Sequence, residues 1–118
     1  MNKEFATYEQ SLALKELGFD EPCFAIDNGD NKLFYSEFKS THVYYKNNGL
    51  ILKQQVFRWF REKHGLYTYV TTHDSTDFEW YIYDKDQNDW EDDTMQNTYE
   101  EAESACIDKL IELAKKSQ

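Results

Sequence analysis

Apolar residues recur at helical spacing in three segments of this chain. The first predicted helix begins at Thr7, whose side chain can form a capping box with that of Gln10, and it ends at Gly18. The second covers Lys53–His64, and the third begins after another predicted capping box at Thr98. The residues predicted to be buried in these helices are Leu12, Ala13, Leu14, Leu17, Val56, Phe57, Phe60, Ala102, Ala105, Cys106, Leu110, Leu113 and Ala114.

Between the helices, short aromatic and β-branched runs predict strands. These runs are Cys23–Asp27, Lys32–Phe38, Thr41–Tyr45, Leu66–His73, Asp77–Tyr83 and Trp90–Met95. Alternation in the fifth run places one apolar set on one face and Glu79, Tyr81 and Tyr83 on the other. Because tight turns join the runs, we expect an antiparallel sheet of hairpins with three helices, the C-terminal helix packed on the sheet. This is the α+β class, and the length of 118 residues fits a single domain.

The composition indicates a folded acidic protein. The chain is 17% aromatic, whereas acidic chains that stay unfolded are poor in aromatic residues. Its formal charge is −10, which disfavours direct binding of nucleic acid or an anionic membrane. The charge is concentrated, since Asp74–Glu103 contains 12 acidic residues and one basic residue, Lys85.

The chain also lacks the sequence signs of secretion or membrane insertion. Its first residues contain no apolar signal core, and no run of about 18 apolar residues occurs. Cys23 and Cys106 stand among apolar neighbours, where they fit buried side chains better than a disulfide bond. We therefore expect a cytoplasmic protein.

Three sequence blocks resemble a group of small uncharacterised proteins of bacteriophages and mobile elements. The blocks are Thr7–Gln10 continuing through Leu17–Cys23, Phe57–Leu66, and Thr98–Glu103 with Ala105 and Cys106. The acidic run Asp84–Asp93 departs from the short loop that members commonly have before the last helix. The resemblance implies a phage setting, with the cytoplasm of the host cell as the location, and it implies no mechanism.

No group of residues has the pattern of a catalytic or cofactor site, so we expect a non-enzymatic protein without a cofactor. The three histidines lack the spacing of a metal site. Asp84–Met95 begins like a calcium loop, but Asp89 occupies the position of the required glycine and Met95 that of the bidentate glutamate. We interpret this segment as a solvated acidic hairpin loop and predict no metal site.

Two surface regions remain as candidates for binding. In the second helix, Arg58 and Arg61 flank Trp59, a combination that can hold a small nucleotide or an acidic peptide; the alternative is an ordinary solvated face. The second region is the acidic segment, which is either a solubilising surface or a face that imitates the phosphates of nucleic acid. Its predicted partner-binding residues are Trp80, Tyr83, Asp86, Asp89, Trp90, Glu91, Asp92 and Asp93.

The sequence therefore favours a binding protein that docks on a basic protein surface. In the phage setting, the predicted partner is a host defence protein that binds nucleic acid, and this protein would inhibit it. A nucleotide-signal binder using the basic helix and an accessory subunit of an oligomer remain as alternatives.

Overall fold

A computed structural model describes residues 5–19, 22–26, 33–39, 49–72, 74, 76–92 and 95–117, with residues 22–26, 33–39, 49 and 50 described by their backbone. The elements in chain order are α1 (Tyr8–Glu16), β1 (Pro22–Ile26), β2 (Leu33–Lys39), β3 (Gly49–Leu50), α2 (Lys53–His64), β4 (Leu66–Thr72), β5 (Phe78–Asp84), β6 (Asp89–Glu91) and α3 (Tyr99–Lys116). The α+β class is confirmed, with the described strands divided between two antiparallel sheets of three.

The chain divides into two compact units, Met1–Leu52 and Lys53–Gln118. In the first unit, β1 pairs with β2 on one side and with β3 on the other, which confirms the predicted hairpin. The predicted strand Thr41–Tyr45 lies outside the described residues. The prediction of a single domain stays a prediction.

Helix α1 begins and ends as its sequence predicts. The Thr7 hydroxyl accepts a hydrogen bond from the Gln10 amide at 3.1 Å, and the Gln10 side chain accepts one from the Thr7 amide at 2.9 Å. Gly18 ends the helix at φ 101°, a left-handed conformation that glycine adopts without steric cost. Its buried face differs from the prediction: Leu14 is buried with Gln10 and Ser11, while the other predicted leucines are half-buried. Gln10 tolerates burial because its side-chain oxygen accepts the capping bond.

The second unit is a two-layer structure. Its sheet has the order β4–β5–β6, and α3 packs on β4 and β5, which confirms the predicted position of the C-terminal helix. Helix α2 contacts both α3 and β4. Of the capping box predicted for α3, the Thr98 hydroxyl accepts from the Glu101 amide at 3.1 Å, and the Glu101 carboxylate accepts from that same hydroxyl at 3.2 Å. The core of this unit comprises Val56, Trp59, Phe60, Leu66, Trp80, Ile82, Ala102, Cys106, Ile107, Leu110, Ile111 and Ala114.

Successive side chains of β5 point to opposite faces of the sheet. Trp80 and Ile82 are 6% and 0% exposed, so the inner face of the sheet is the one covered by helices. Glu79, Tyr81 and Tyr83 lie on the outer face, as the alternation in the sequence predicts.

Candidate functional site

Strand register brings a set of tyrosines and carboxylates together on the outer face. Residues that lie directly opposite each other in an antiparallel pair share a face of the sheet. The register pairs Tyr67 with Tyr83, Tyr69 with Tyr81 and Thr71 with Glu79, and it pairs β6 with β5 in the same way. We call the resulting surface the tyrosine face, and it comprises Tyr67, Tyr69, Thr71, Glu79, Tyr81, Tyr83, Asp89 and Glu91.

The four tyrosine rings form two cross-strand stacks. The rings of Tyr67 and Tyr83 are stacked with centroids 5.5 Å apart, and those of Tyr69 and Tyr81 are stacked at 4.8 Å. Tyr69 also meets Tyr83 edge to face at 6.4 Å, which joins the two stacks. Tyr69 and Tyr83 are 51% and 43% exposed, so rings that are fixed by their neighbours still present aromatic surface to solvent.

The carboxylates of this face are of two kinds. Glu79 is 9% exposed and accepts a hydrogen bond of 2.7 Å from the Tyr81 hydroxyl. Asp89 and Glu91 are exposed on β6. They lie opposite Tyr83 and Tyr81 respectively. The hydrogen bond to Glu79, together with desolvation and the charges of Glu79 and Glu91, raises the pKa of Tyr81 to about 12.

The tyrosine face is strongly acidic because its strands are almost free of basic residues. Between Leu66 and Glu91 the sequence contains a single Lys or Arg, Lys85, which lies in the turn between β5 and β6. The face therefore combines exposed aromatic rings with three acidic side chains and no basic one, two features that together attract cations.

The structure divides the predicted partner-binding residues between different surfaces. Tyr83, Asp89 and Glu91 lie on the tyrosine face, whereas Trp80 is buried in the core and offers no surface to a partner. Trp90 lies opposite Ile82, so strand register places it on the inner face, where it is half-buried. The prediction that Trp90 joins the acids on one surface is therefore wrong.

Asp86 and Asp92, two of the remaining predicted acids, lie outside the strands. Asp86 is exposed in the turn after β5. Asp92 follows β6, and its carboxylate accepts a bond of 3.3 Å from the Gln96 side chain. Asp93 lies outside the described residues.

In the turn between β5 and β6, the carboxylate of Asp84, which would bind the ion in a calcium loop, accepts hydrogen bonds from the turn itself. Asp84 Oδ1 accepts hydrogen bonds from the amides of Asp86 and Asn88 at 2.9 and 3.0 Å, and its Oδ2 accepts one from the Asn88 side chain. Desolvation acts to raise the pKa of Asp84, but these hydrogen bonds outweigh it and lower that pKa. The pairing of β5 with β6 confirms a hairpin turn at the start of the segment interpreted as an acidic loop, and Asp89–Glu91 of that segment form β6. Within the described ranges no three metal-binding side chains converge.

In the alternative binding region on α2, Trp59 is buried and does not lie on the surface with the two arginines. Arg58 and Arg61 are exposed, but Trp59 is 4% exposed and packs edge to face against Phe60 at 5.0 Å. The Nε atom of Arg58 lies 3.8 Å from a carboxylate oxygen of Glu62, four residues along the same helix. The predicted grouping of Trp59 with the two arginines is wrong because this ring faces the core.

A buried polar junction joins α2 to α3. Lys53 Nζ donates to the Glu100 carbonyl oxygen at 3.1 Å, and Gln54 donates to the Glu103 carboxylate at 2.7 Å. Burial raises the pKa of Glu103, while the charge of Lys53 and the bond from Gln54 oppose that rise. Burial also raises the pKa of the Cys106 thiol, which disfavours the thiolate that a nucleophile needs. We assign this junction a role in packing.

Sequence reasoning missed Tyr67 and Tyr69 as members of the candidate site. Their signal is the alternation within β4, where both tyrosines occupy positions of the same parity. That alternation shows that the two residues share a face, but their proximity to Tyr81 and Tyr83 follows from the pairing of β4 with β5.

Comparison with known proteins gives no relative: no protein family, curated protein or solved structure matches the chain significantly. None of the helices in the described part of the chain combines the length and apolar character that a membrane span requires.

Proposed function

We propose that this protein is a non-enzymatic binding protein whose tyrosine face docks on a basic protein surface. The observation that supports the proposal is the meeting of four tyrosines and three carboxylates on one face of a regular sheet. Exposed tyrosines are typical anchors of protein interfaces, since they bury large area at a low cost in side-chain entropy.

The frame of the face suits this role. Three hydrogen-bonded strands hold the side chains at fixed spacing, and stacking fixes the tyrosine rings before a partner arrives. A preordered face loses little conformational entropy on binding, which favours affinity. The surrounding negative charge accelerates the encounter with a positively charged partner.

The more specific form of the proposal is a phage-type inhibitor. A basic surface that normally binds nucleic acid is complementary to regularly spaced phosphates. A rigid acidic sheet presents negative charge that can compete with those phosphates. In this form, the partner is a host defence protein and the inhibitor acts in the host cytoplasm. The resemblance of the three sequence blocks to phage and mobile-element proteins supports that setting.

An affinity experiment tests the proposal. The wild-type protein is used to capture partners from bacterial lysate in parallel with a face variant, Tyr69→Ser/Tyr83→Ser/Asp89→Asn/Glu91→Gln. The matched control is Arg58→Gln/Arg61→Gln, which changes the alternative region on α2. We expect a partner that wild type and the control retain, that the face variant loses, and that duplex DNA displaces.

The controls separate the competing interpretations. Circular dichroism melting of each variant shows whether it is folded before capture is interpreted. A partner that the face variant still captures and that the Arg58/Arg61 control loses would contradict the proposal and favour the ligand site on α2. A captured partner that duplex DNA does not displace would contradict the more specific inhibitor form alone.

A further inference from the structure

The tyrosine face is built from repeated rows. One row contains Tyr67, Tyr83 and Asp89 across the three strands, and the next contains Tyr69, Tyr81 and Glu91. Each row therefore presents two stacked rings and ends in an exposed carboxylate on β6. Neighbouring strands lie about 4.8 Å apart, so the carboxylate of a row lies beside the ring that the central strand, β5, contributes to that row.

A planar cation fits such a row better than a spherical one. A guanidinium group stacks on an aromatic ring and donates two parallel hydrogen bonds to a carboxylate, whereas an ammonium group is a point charge with a tightly held water shell. The proximity of ring and acid within a row follows from strand register, since Tyr81 lies directly opposite Glu91 and Tyr83 directly opposite Asp89.

The distance between the rows sets a second requirement. The residues of the two rows are two positions apart on each strand, which is a separation of about 7 Å along the strand. An extended peptide presents its alternate side chains with the same period. A segment that lies along the strands can therefore place two side chains of one face over the two rows.

Resting on the proposed function, we infer that the tyrosine face recognises an extended basic segment with arginine at alternate positions. Complementary charge selects this occupant over a second copy of the chain, because two such faces carry the same negative charge and repel each other. Each arginine stacks on the rings of one row and pairs with Asp89 or Glu91. The segment is the part of the basic partner that this protein covers.

Three blocked peptides of equal charge test the inference by calorimetry and by NMR of the tyrosine rings. The probes are Thr-Arg-Thr-Arg-Thr, its lysine analogue Thr-Lys-Thr-Lys-Thr, and the isomer Thr-Arg-Arg-Thr-Thr, in which adjacent arginines point to opposite faces. We expect the alternating arginine peptide to bind about threefold more tightly than either of the others. This ratio of affinities corresponds to the free energy of one exposed cation–π contact.

Matched variants locate the binding. We expect Tyr69→Leu to weaken the alternating arginine peptide about threefold and Tyr69→Phe, which keeps the ring, to leave its affinity unchanged. Asp89→Asn/Glu91→Gln should weaken the binding of this peptide more than Tyr69→Leu does. The charge-matched control Glu9→Gln/Glu16→Gln, which removes two exposed carboxylates from α1, should change it least.

Each other outcome overturns the inference in a distinguishable way. Equal binding of the three peptides, with loss in Asp89→Asn/Glu91→Gln, would reject arginine recognition and leave the proposed function standing. Binding that none of the face variants changes would place the peptide elsewhere, and the lysate capture would then decide the proposed function independently. A dimer in sedimentation analysis that Tyr69→Leu abolishes would show that a second copy occupies the face.

Discussion

At the scale of single residues, the Tyr81–Glu79 pair orders the centre of the tyrosine face. The short bond from the Tyr81 hydroxyl fixes one ring of the Tyr69–Tyr81 stack and satisfies a carboxylate that is 9% exposed. Asp89 and Glu91 remain exposed beside it. One acid of this face therefore holds an aromatic ring, and the other two are exposed to solvent.

We predict that Glu79→Gln lowers the pKa of Tyr81 from about 12 toward the ordinary value of 10.0. The reason is that the variant removes the ionised acceptor, which is the largest cause of the rise, together with its charge. Spectrophotometric titration of tyrosine ionisation measures this directly. Glu91→Gln serves as the comparison, because that residue contributes its charge alone and should lower the pKa less.

The same pair makes stability depend on pH. Because the pKa of Tyr81 is higher in the folded state than in the unfolded chain, its contribution is fully present below about pH 10. It is lost as pH rises from 10 to about 12, where the unfolded chain ionises first. An alkaline unfolding profile of wild type that is identical to that of Glu79→Gln would contradict this assignment.

At the scale of secondary-structure elements, α2 shows how a core residue can imitate a binding residue. Trp59 stands between Arg58 and Arg61 in the sequence, yet it is 4% exposed and contacts the rings of Phe60 and His64 at 5.0 Å. The helix places Val56, Trp59 and Phe60 on one buried face. Trp59 lies three positions after Val56 and Phe60 lies four, so helical spacing allows both to be buried. The prediction that Trp59 binds a ligand relied instead on the charges of its neighbours Arg58 and Arg61.

We predict that Trp59→Ala lowers the free energy of unfolding by about 3–5 kcal/mol, the usual cost of truncating a buried aromatic side chain. Chemical denaturation measures it. Arg58→Ala is the matched control on the same helix, and its exposed pairing with Glu62 predicts a change below about 1 kcal/mol. Similar small effects of both substitutions would show that Trp59 lies outside the core.

The helices were predictable from the sequence because their signals are local. The capping bonds at Thr7 and Thr98 and the left-handed Gly18 involve residues that lie within a few positions of each other. The two faces of β5 were predictable for the same reason, since alternation along one strand determines them.

The candidate site was predictable only in part because it depends on pairing between strands. Tyr83, Asp89 and Glu91 were recognised from the charge and aromatic content of their segment, but Tyr67 and Tyr69 join them through the register of β4 on β5. Trp90 was misplaced because successive residues of a strand lie on opposite faces, so Trp90 does not share a face with Asp89 and Glu91 once the three form β6. Its pairing with Ile82 places it on the inner face.

At the scale of the whole molecule, the charge is unevenly divided between the two units. Residues 53–118 contain 15 acidic and 8 basic residues, a net charge of −7, whereas residues 1–52 carry −3. Within the second unit, Asp74–Glu103 carries −11 and the remaining residues carry +4. Concentrated negative charge favours fast encounter with a basic partner and weakens the folded state through repulsion between like charges.

We therefore predict that salt stabilises this protein and that removing charge from the tyrosine face reduces the effect. The Debye length falls from about 30 Å at 0.01 M to about 8 Å at 0.15 M, so added sodium chloride screens repulsion across the sheet. The melting temperature of wild type should rise over this range. At low salt, Asp89→Asn/Glu91→Gln should melt at or above the temperature of wild type, with a gain in the free energy of unfolding below about 1 kcal/mol per charge removed. Its melting temperature should also change less than that of wild type when salt is added.

The control Glu9→Gln/Glu16→Gln removes the same formal charge from α1 in the less acidic unit. Its melting temperature should stay level or fall slightly, because Glu9 lies in the first turn, where the positive end of the helix favours an acid. If the two double variants respond equally to salt, the local concentration of charge has no energetic consequence. A melting temperature of wild type that falls as salt is added would mean that attractive pairs outweigh repulsion, and the acidic surface would then be a stabilised network rather than one that needs a basic partner.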